Sequence, residues 1–251
     1  MGLLRGILSR CVLVVATFLL ALSATVIILI VPRWSNVMVH AGRIWARIML
    51  ASVGARVRFH DRQRANEHTP CIFIANHQSM IDIRVMLVLI PASTRFVAKQ
   101  ELFRIPVFGW VLSASGCIPI DRLSRADAIR SLGLAADRIR DGRSVVLYPE
   151  GTRSLDGRLR PFKKGAFHLA LQAGVPIVPV AITGSFDVLP PRTLRVNPGE
   201  VHVYLEPIVD VAPFEPNDYR GLRAKVQTTI ERRFHATSMD PDDGAVQAEA
   251  P

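Results

Sequence analysis

The order of apolar and polar residues predicts alternating strands and helices from residue 55 onward. Short, continuous apolar runs are typical of strands that are buried on both faces of a sheet. Apolar residues at helical spacing lie between some of these runs, most clearly over 125–140. We predict strands over 56–59, 71–75, 95–98, 117–120, 145–148, 177–182 and 201–205. This alternation predicts an α/β fold, a layered sheet with flanking helices, in a domain of residues 55–235.

Residues 1–54 have a different pattern, which predicts two membrane-associated helices before that domain. Residues 11–32 contain no charged side chain, and their number is close to the roughly 20 residues that cross a hydrocarbon core. We predict that this hydrophobic helix crosses the membrane or dips into one leaflet, with a cleaved signal peptide as the alternative. Residues 36–54 predict a basic amphipathic helix. Its apolar face either lies at a bilayer interface or packs on the domain.

Composition supports a partner with negative charge. The formal net charge is +10, and 27 of the 31 basic residues are arginine, which suits bidentate recognition of phosphate. The arginines lack interleaved aromatic residues and a nucleic-acid-binding fold signature, so we predict an anionic membrane surface and no nucleic acid. More arginines follow residues 11–32 than precede them, which predicts a cytoplasmic (inner) membrane protein whose domain faces the cytoplasm. Residues 236–251, rich in Asp, Ala and Pro, predict a disordered tail.

The candidate chemistry lies where the predicted strand 71–75 ends. Ser79 and Asp82 have the S-x-x-D spacing of a capping box, which predicts a helix over 80–90. His77 precedes that helix, so its ring can fold back onto the Asp82 carboxylate. The carboxylate then binds one ring nitrogen and leaves the other as a general base. The alternative is that Asp82 only caps the helix and that His77 is an ordinary loop residue.

The segment 76–82, N-H-Q-S-M-I-D, resembles the N-H-x-S-x-x-D signature of glycerolipid acyltransferases. More specifically, it resembles the 1-acylglycerol-3-phosphate O-acyltransferase (lysophosphatidate acyltransferase) family. Three further blocks follow in the family's order: G-C-I-P-I-D-R at 116–122, Y-P-E-G-T-R-S at 148–154 and V-P-I-V-P-V-A-I at 175–182. Phe is usual in the family where this chain has Pro in the second block and Tyr in the third. The resemblance covers about residues 70 to 182.

This resemblance implies transfer of an acyl group to the free hydroxyl of 1-acylglycerol 3-phosphate, which gives phosphatidic acid. The acyl donor is a thioester, acyl-CoA or acyl-carrier protein, and no other cofactor and no metal is expected. No Ser or Cys nucleophile is evident beside the base, so we predict direct transfer without a covalent acyl-enzyme. The catalytic residues are His77 and Asp82. The predicted substrate-binding residues are Asn76, Ser79, Lys99, Arg122, Glu150, Gly151, Thr152 and Arg153.

Other functions remain open at this stage. The acceptor is alternatively glycerol 3-phosphate or another lyso-lipid, such as a lyso-ornithine lipid, because the four blocks barely discriminate among acceptors. A different class is a membrane-tethered lipid-binding protein without turnover. The intact His77 and Asp82 argue against that class.

Overall fold

The computed structural model describes residues 2–30, 35–120, 125–193 and 195–239. The strands are β1 (Ala55–His60), β2 (Ile72–Ala75), β3 (Arg95–Lys99), β4 (Ile118–Ile120), β5 (Val145–Leu147), β6 (Ile177–Thr183) and β7 (Gly199–Leu205). The helices are α1 (Gly2–Ile30), α2 (Ser35–Val53), α3 (Arg64–Glu67), α4 (Ile81–Leu89), α5 (Phe108–Ala114), α6 (Arg125–Arg140), α7 (Gly165–Ala173), α8 (Ser185–Val188) and α9 (Tyr219–Met239), with a 3-10 helix Gln100–Arg104. All seven predicted strands and the helix over 125–140 are confirmed.

The strands form one mixed sheet in the order β1-β7-β6-β2-β5-β3-β4. Only the β6–β7 pair is antiparallel among the described strands. The carboxyl ends of β6, β2, β5, β3 and β4 therefore meet at one edge of the sheet. The central strands β2, β5 and β6 are buried along their whole length, which is why they appear in the sequence as continuous apolar runs.

Helices cover both faces of the sheet. Alternate residues of β2 point to opposite faces, so Ile72 and Ile74 join one core cluster and Phe73 joins the other. The first cluster includes residues from α6, α7 and α9. The second cluster includes residues from α2 and α4. This arrangement confirms the layered α/β fold.

The N-terminal helices differ from their predictions. α1 begins at Gly2 and is continuous to Ile30. Among the described residues, no helix combines the length and the apolar character needed to cross a membrane, so the predicted spanning role of 11–32 is not supported. In α2, Met49, Leu50 and Val53 are buried against the domain. That packing agrees with the second of the two alternatives for this helix.

Two helix ends also require correction. α4 is shorter by one residue at each end than the predicted 80–90, and Ile90 is extended, because a residue before proline avoids the helical region. α9 continues to Met239, so a tail beginning at 236 is wrong for its first four residues. The apolar side of α9, which includes Leu222, Val226 and Ile230, is buried on the sheet. Residues 240–251 of the predicted tail lie outside the described residues.

Candidate active site

The sheet order brings the predicted site segments to one edge. His77 follows β2, the segment 148–153 follows β5, and Lys99 ends β3. Because β2, β5 and β3 are parallel neighbours, the loops at their carboxyl ends lie side by side, where ligands bind in α/β sheets. Arg122 comes two residues after β4 in the sequence and lies outside the described residues, so its role stays a prediction.

His77 and Asp82 form the contact that their spacing predicted. His77 Nδ1 lies 2.9 Å from Asp82 Oδ2. The Asp82 side chain is fully buried, and that of His77 is 12% exposed. Asp82 Oδ2 also accepts the backbone N–H groups of Gln78 at 2.6 Å and Ser79 at 2.8 Å. These three donors fix the carboxylate, and the carboxylate in turn leaves His77 Nε2 as the ring nitrogen available for chemistry.

Asn76 and Ser79 hold the loop that carries His77. Asn76 Nδ2 donates to the Ile182 carbonyl at 2.8 Å, and Asn76 Oδ1 accepts the Ile182 N–H at 2.7 Å. Ser79 Oγ accepts the Ile81 N–H at 3.2 Å and donates to the Leu189 carbonyl at 2.7 Å. Both residues are fully buried. These hydrogen bonds give both side chains a structural role, and their contact with substrate stays a prediction.

Glu150 is also a structural link in this fold. Its Oε1 accepts the His77 backbone N–H at 2.6 Å, and its Oε2 accepts the Arg160 N–H at 3.0 Å. The residue is 2% exposed. Burial raises the pKa of the Glu150 carboxyl to about 7, against the opposing effect of the two N–H donors. Glu150 thus ties the 148–154 turn to the His77 loop, and its contact with substrate stays a prediction.

The turn after Glu150 presents its polar residues to solvent. Gly151 has φ of +75°, a left-handed conformation that favours glycine. Thr152 is exposed and Arg153 is half-buried. A Cβ at Gly151 would lie 2.8 Å from Lys163 Nζ, so a second cation lies against this turn. Lys99 is exposed and pairs with Glu101 at 2.8 Å.

Tyr148 is a neighbour of His77 that sequence reasoning did not select for the site. Its ring stacks on the imidazole with centroids 4.2 Å apart. Its hydroxyl is buried without a hydrogen-bond partner among the described residues. Burial raises the Tyr148 pKa well above its ordinary value. The signal in the sequence was the Tyr at a position where the family usually has Phe.

Arg84 is a buried cation that the sequence analysis missed. The residue is 6% exposed, and its Nε and Nη1 have no hydrogen-bond partner in the described part of the chain. The guanidinium lies over the Trp45 ring at 5.5 Å. Burial lowers the Arg84 pKa to about 10, while the negative charge of Asp82 acts in the opposite direction. A lone basic residue in the apolar α4 was the available signal.

Comparisons with known proteins agree with this geometry. A family model described as Acyltransferase matches residues 56–183. A 1-acyl-sn-glycerol-3-phosphate acyltransferase of Salmonella typhimurium is 31% identical over 224 residues, which cover 89% of this chain and 90% of that protein. The chloroplastic 1-acyl-sn-glycerol-3-phosphate acyltransferase BAT2 of Brassica napus is 41% identical over 138 residues, 55% of this chain and 40% of that protein. The chain thus spans less than half the length of BAT2 and of the Arabidopsis thaliana relative LPAT1.

The fold is shared with a solved structure. The crystal structure of the 1-acyl-sn-glycerophosphate (LPA) acyltransferase PlsC from Thermotoga maritima matches with a TM-score of 0.81 and 24% identity. The match covers 99% of this chain and all of that one. Since the family model also spans more than half of the chain, and the Salmonella relative is matched over nearly its whole length, the chain belongs to the 1-acyl-sn-glycerol-3-phosphate acyltransferase family of glycerolipid acyltransferases.

Proposed function

We propose that this protein transfers an acyl group from an acyl thioester, acyl-CoA or acyl-carrier protein, to the free hydroxyl of 1-acylglycerol 3-phosphate, giving phosphatidic acid. The observation that carries this proposal is the contact between His77 Nδ1 and Asp82 Oδ2 at 2.9 Å. It leaves Nε2 as a base beside the cationic turn at Arg153. The name of the Salmonella typhimurium relative, a 1-acyl-sn-glycerol-3-phosphate acyltransferase, supports the same acceptor.

In the proposed reaction, His77 Nε2 accepts the proton of the acceptor hydroxyl. The hydroxyl oxygen bonds to the thioester carbonyl carbon, the carbon–sulfur bond breaks, and the departing sulfur takes the proton. The products are an ester and a free thiol, without a covalent acyl-enzyme. Buried Asp82 orients the imidazole and stabilises its protonated form. Glu150 acts as a positioning residue, because it binds the backbone of His77.

We assign the acceptor phosphate to the cations around the exposed turn. Arg153 is half-buried there, and Lys163 lies against Gly151. Arg122 is a further predicted contact, outside the described residues. A planar guanidinium matches a phosphate with two parallel hydrogen bonds, so Arg153 is the main contact. Thr152 is exposed beside it. Lys99 is a further candidate, and phosphate would compete there with Glu101.

The test of this function is thiol release by the purified protein with lysophosphatidate and either donor, comparing wild type with Arg153→Ala. We expect turnover in the wild type. In Arg153→Ala, the KM for lysophosphatidate should rise by about 10- to 100-fold, because a charge-assisted contact is lost. The KM for the donor should change little. Arg153→Lys should restore only part of the loss, since a point charge does not reproduce a planar fork.

The matched control is Arg158→Ala, which removes an exposed arginine from the same loop. It should leave both KM values near those of the wild type. If the wild type releases thiol with another lyso-lipid but not with lysophosphatidate, that other lipid is the acceptor and the proposed one is wrong. A rise in the donor KM alone would assign Arg153 to the phosphates of the donor.

We further propose that the protein acts on the cytoplasmic surface of the inner membrane, because both the acceptor and the product are lipids. The support is a row of exposed apolar side chains along one side of α1, continued on α2 by Ile44 and Ile48, which are 60% and 45% exposed. Such a surface is costly in water. The exposed apolar residues of α1 are Leu3, Leu4, Ile7, Leu8, Val14, Val15, Phe18 and Leu19.

Replacing Ile44 and Ile48 together with serine should weaken flotation with vesicles that contain anionic lipid. Each side chain would lose roughly 1.5 kcal/mol or more of burial in the interface, so the two losses together should lower the partition constant by about 100-fold or more. The control is Leu134→Ser with Leu155→Ser, a pair that is 46% and 55% exposed elsewhere on the surface. Equal loss in both pairs would contradict docking through α2. The remaining attachment should weaken with salt, since arginines contribute to it.

A further inference from the structure

A cavity between α2, α3 and the end of α4 lies away from the site of His77. Its volume is ≈ 380 Å³. α4 carries Asp82 in its first turn and the cavity at its last turn. Asp82 and Leu89, which lines the cavity, are separated by roughly 10 Å along the helix axis at about 1.5 Å per residue. The cavity is lined by Arg43 and Arg47 of α2, Arg62 and Asn66 after β1, and the segment 88–92.

The charged side chains around this cavity are all cationic. Among the described residues, three arginines line it and no carboxylate does. Asp61, the neighbour of Arg62, pairs with Arg64 at 3.1 Å instead. Neither Arg47 nor Arg62 forms an ion pair with a carboxylate in the part of the chain that the structure describes. The cavity therefore concentrates positive charge without a protein counter-ion.

Arg43 lies at the wall of this cavity, where it holds the end of α4. One terminal nitrogen, Nη2, donates to the Ile90 carbonyl at the end of α4. Its Nε is buried and has no hydrogen-bond partner among the described residues. Burial lowers the Arg43 pKa, and the charges of Arg47 and Arg62 lower it further. An anion in the cavity would relieve this repulsion and would accept hydrogen bonds from the arginines that line it.

We propose that this cavity binds a phosphate ester, and that its source is the headgroup of an anionic phospholipid. Exposed Ile44 and Ile48 lie on α2 among the cavity arginines, so a headgroup held by Arg43, Arg47 and Arg62 has apolar side chains nearby for its acyl chains. Asn66 adds an amide donor for the ester oxygens or a headgroup hydroxyl. The site is separate from the acceptor site at Arg153, so it binds lipid without turning it over.

The test compares two double variants of the full chain that remove the same charge. Arg47→Gln with Arg62→Gln empties the cavity of two cations and keeps Arg43, which supports the end of α4. Arg223→Gln with Arg232→Gln is the control, because α9 packs on the opposite face of the sheet from α2 and α4. Thermal unfolding of each variant, expected at the wild-type midpoint, establishes that it is folded.

Binding is measured by flotation with vesicles of phosphatidylcholine alone and of phosphatidylcholine with phosphatidylglycerol. On the anionic vesicles the cavity variant should lose about 10- to 100-fold in affinity, and the control less than about threefold. On neutral vesicles the two variants should match the wild type. Equal losses in both variants would overturn the proposal, because they would indicate only unspecific attraction of charge.

A second arm distinguishes a lipid headgroup from a free phosphate ester. Glycerol 3-phosphate and inorganic phosphate are titrated by calorimetry into wild type and cavity variant. The lipid assignment would be overturned in favour of a soluble ester by two results together. The wild type would bind one of these phosphates tightly and the cavity variant would not, while both would bind anionic vesicles equally. These readouts do not depend on turnover. A protein that fails the thiol-release assay can still bind anionic vesicles through the cavity, and an active enzyme can still fail to bind them there.

Discussion

Replacing His77 with alanine is expected to lower the rate of acyl transfer by about 10²- to 10⁴-fold, the usual contribution of a general base. His77 lies at the edge of the site, and because its Nδ1 is committed to the Asp82 carboxylate, Nε2 is the nitrogen that can accept a proton. The fold should remain intact. The loop is held by its backbone contacts to Glu150 and Ser154, which alanine keeps.

The measurement is thiol release at saturating donor and acceptor, with thermal unfolding as the check on folding. The matched control is Tyr148→Phe, which alters the ring stacked on His77 without removing it. The Tyr148 hydroxyl has no partner among the described residues, so its loss should leave kcat within about twofold, a barrier change below roughly 0.5 kcal/mol. Activity of the His77→Ala variant within a few-fold of wild type would reject the base assignment.

Replacing Glu150 with glutamine is expected to destabilise the fold by about 1 to 3 kcal/mol and to lower kcat as well. Both carboxylate oxygens accept backbone N–H groups, from His77 and from Arg160. Glutamine has one acceptor oxygen, so its amide group must face one of these donors and leave it unpaired. Because one of the donors belongs to His77, the change disturbs the position of the base.

The pH dependence of stability gives the same residue a second signature. The ordinary pKa of the glutamate is 4.5, and in the folded chain it is about 7. Between these pH values the folded chain keeps a proton that the unfolded chain has released. The contribution of this proton is complete below pH 4.5 and is lost as the pH rises through 7. At about 1.4 kcal/mol for each tenfold change in the ionisation constant, the loss amounts to roughly 3 kcal/mol.

Urea unfolding between about pH 5 and about pH 8 measures this effect as the difference between wild type and Glu150→Gln. The free energy of unfolding of the wild type should fall relative to the variant as the pH rises. The control is Glu67→Gln, at an exposed position in α3, which should show the same pH dependence as the wild type. Parallel curves for wild type and Glu150→Gln would mean that Glu150 is ionised throughout this range.

The sequence by itself determined the main elements of the fold. β2, β5 and β6 are buried on both faces, so their apolar runs are continuous and their positions are visible without the structure. The contact of His77 with Asp82 was also predictable, because it joins residues five positions apart across a helix start. The N-terminal segment was less informative. Apolar composition alone does not distinguish a helix that crosses a bilayer from one that lies on a protein surface.

Only the tertiary structure decided the roles of the polar side chains that connect distant segments. Glu150 and Asn76 were predicted to face substrate, yet each bonds backbone groups far away in sequence. No local pattern encodes such a partner, because the sheet order brings the two segments together. No local pattern predicts the burial of Arg84 either. The three arginines of the cavity come from separate parts of the chain, so only the fold brings them together. Local periodicity thus determined which elements form, whereas long-range packing decided which polar atoms remain free for a ligand.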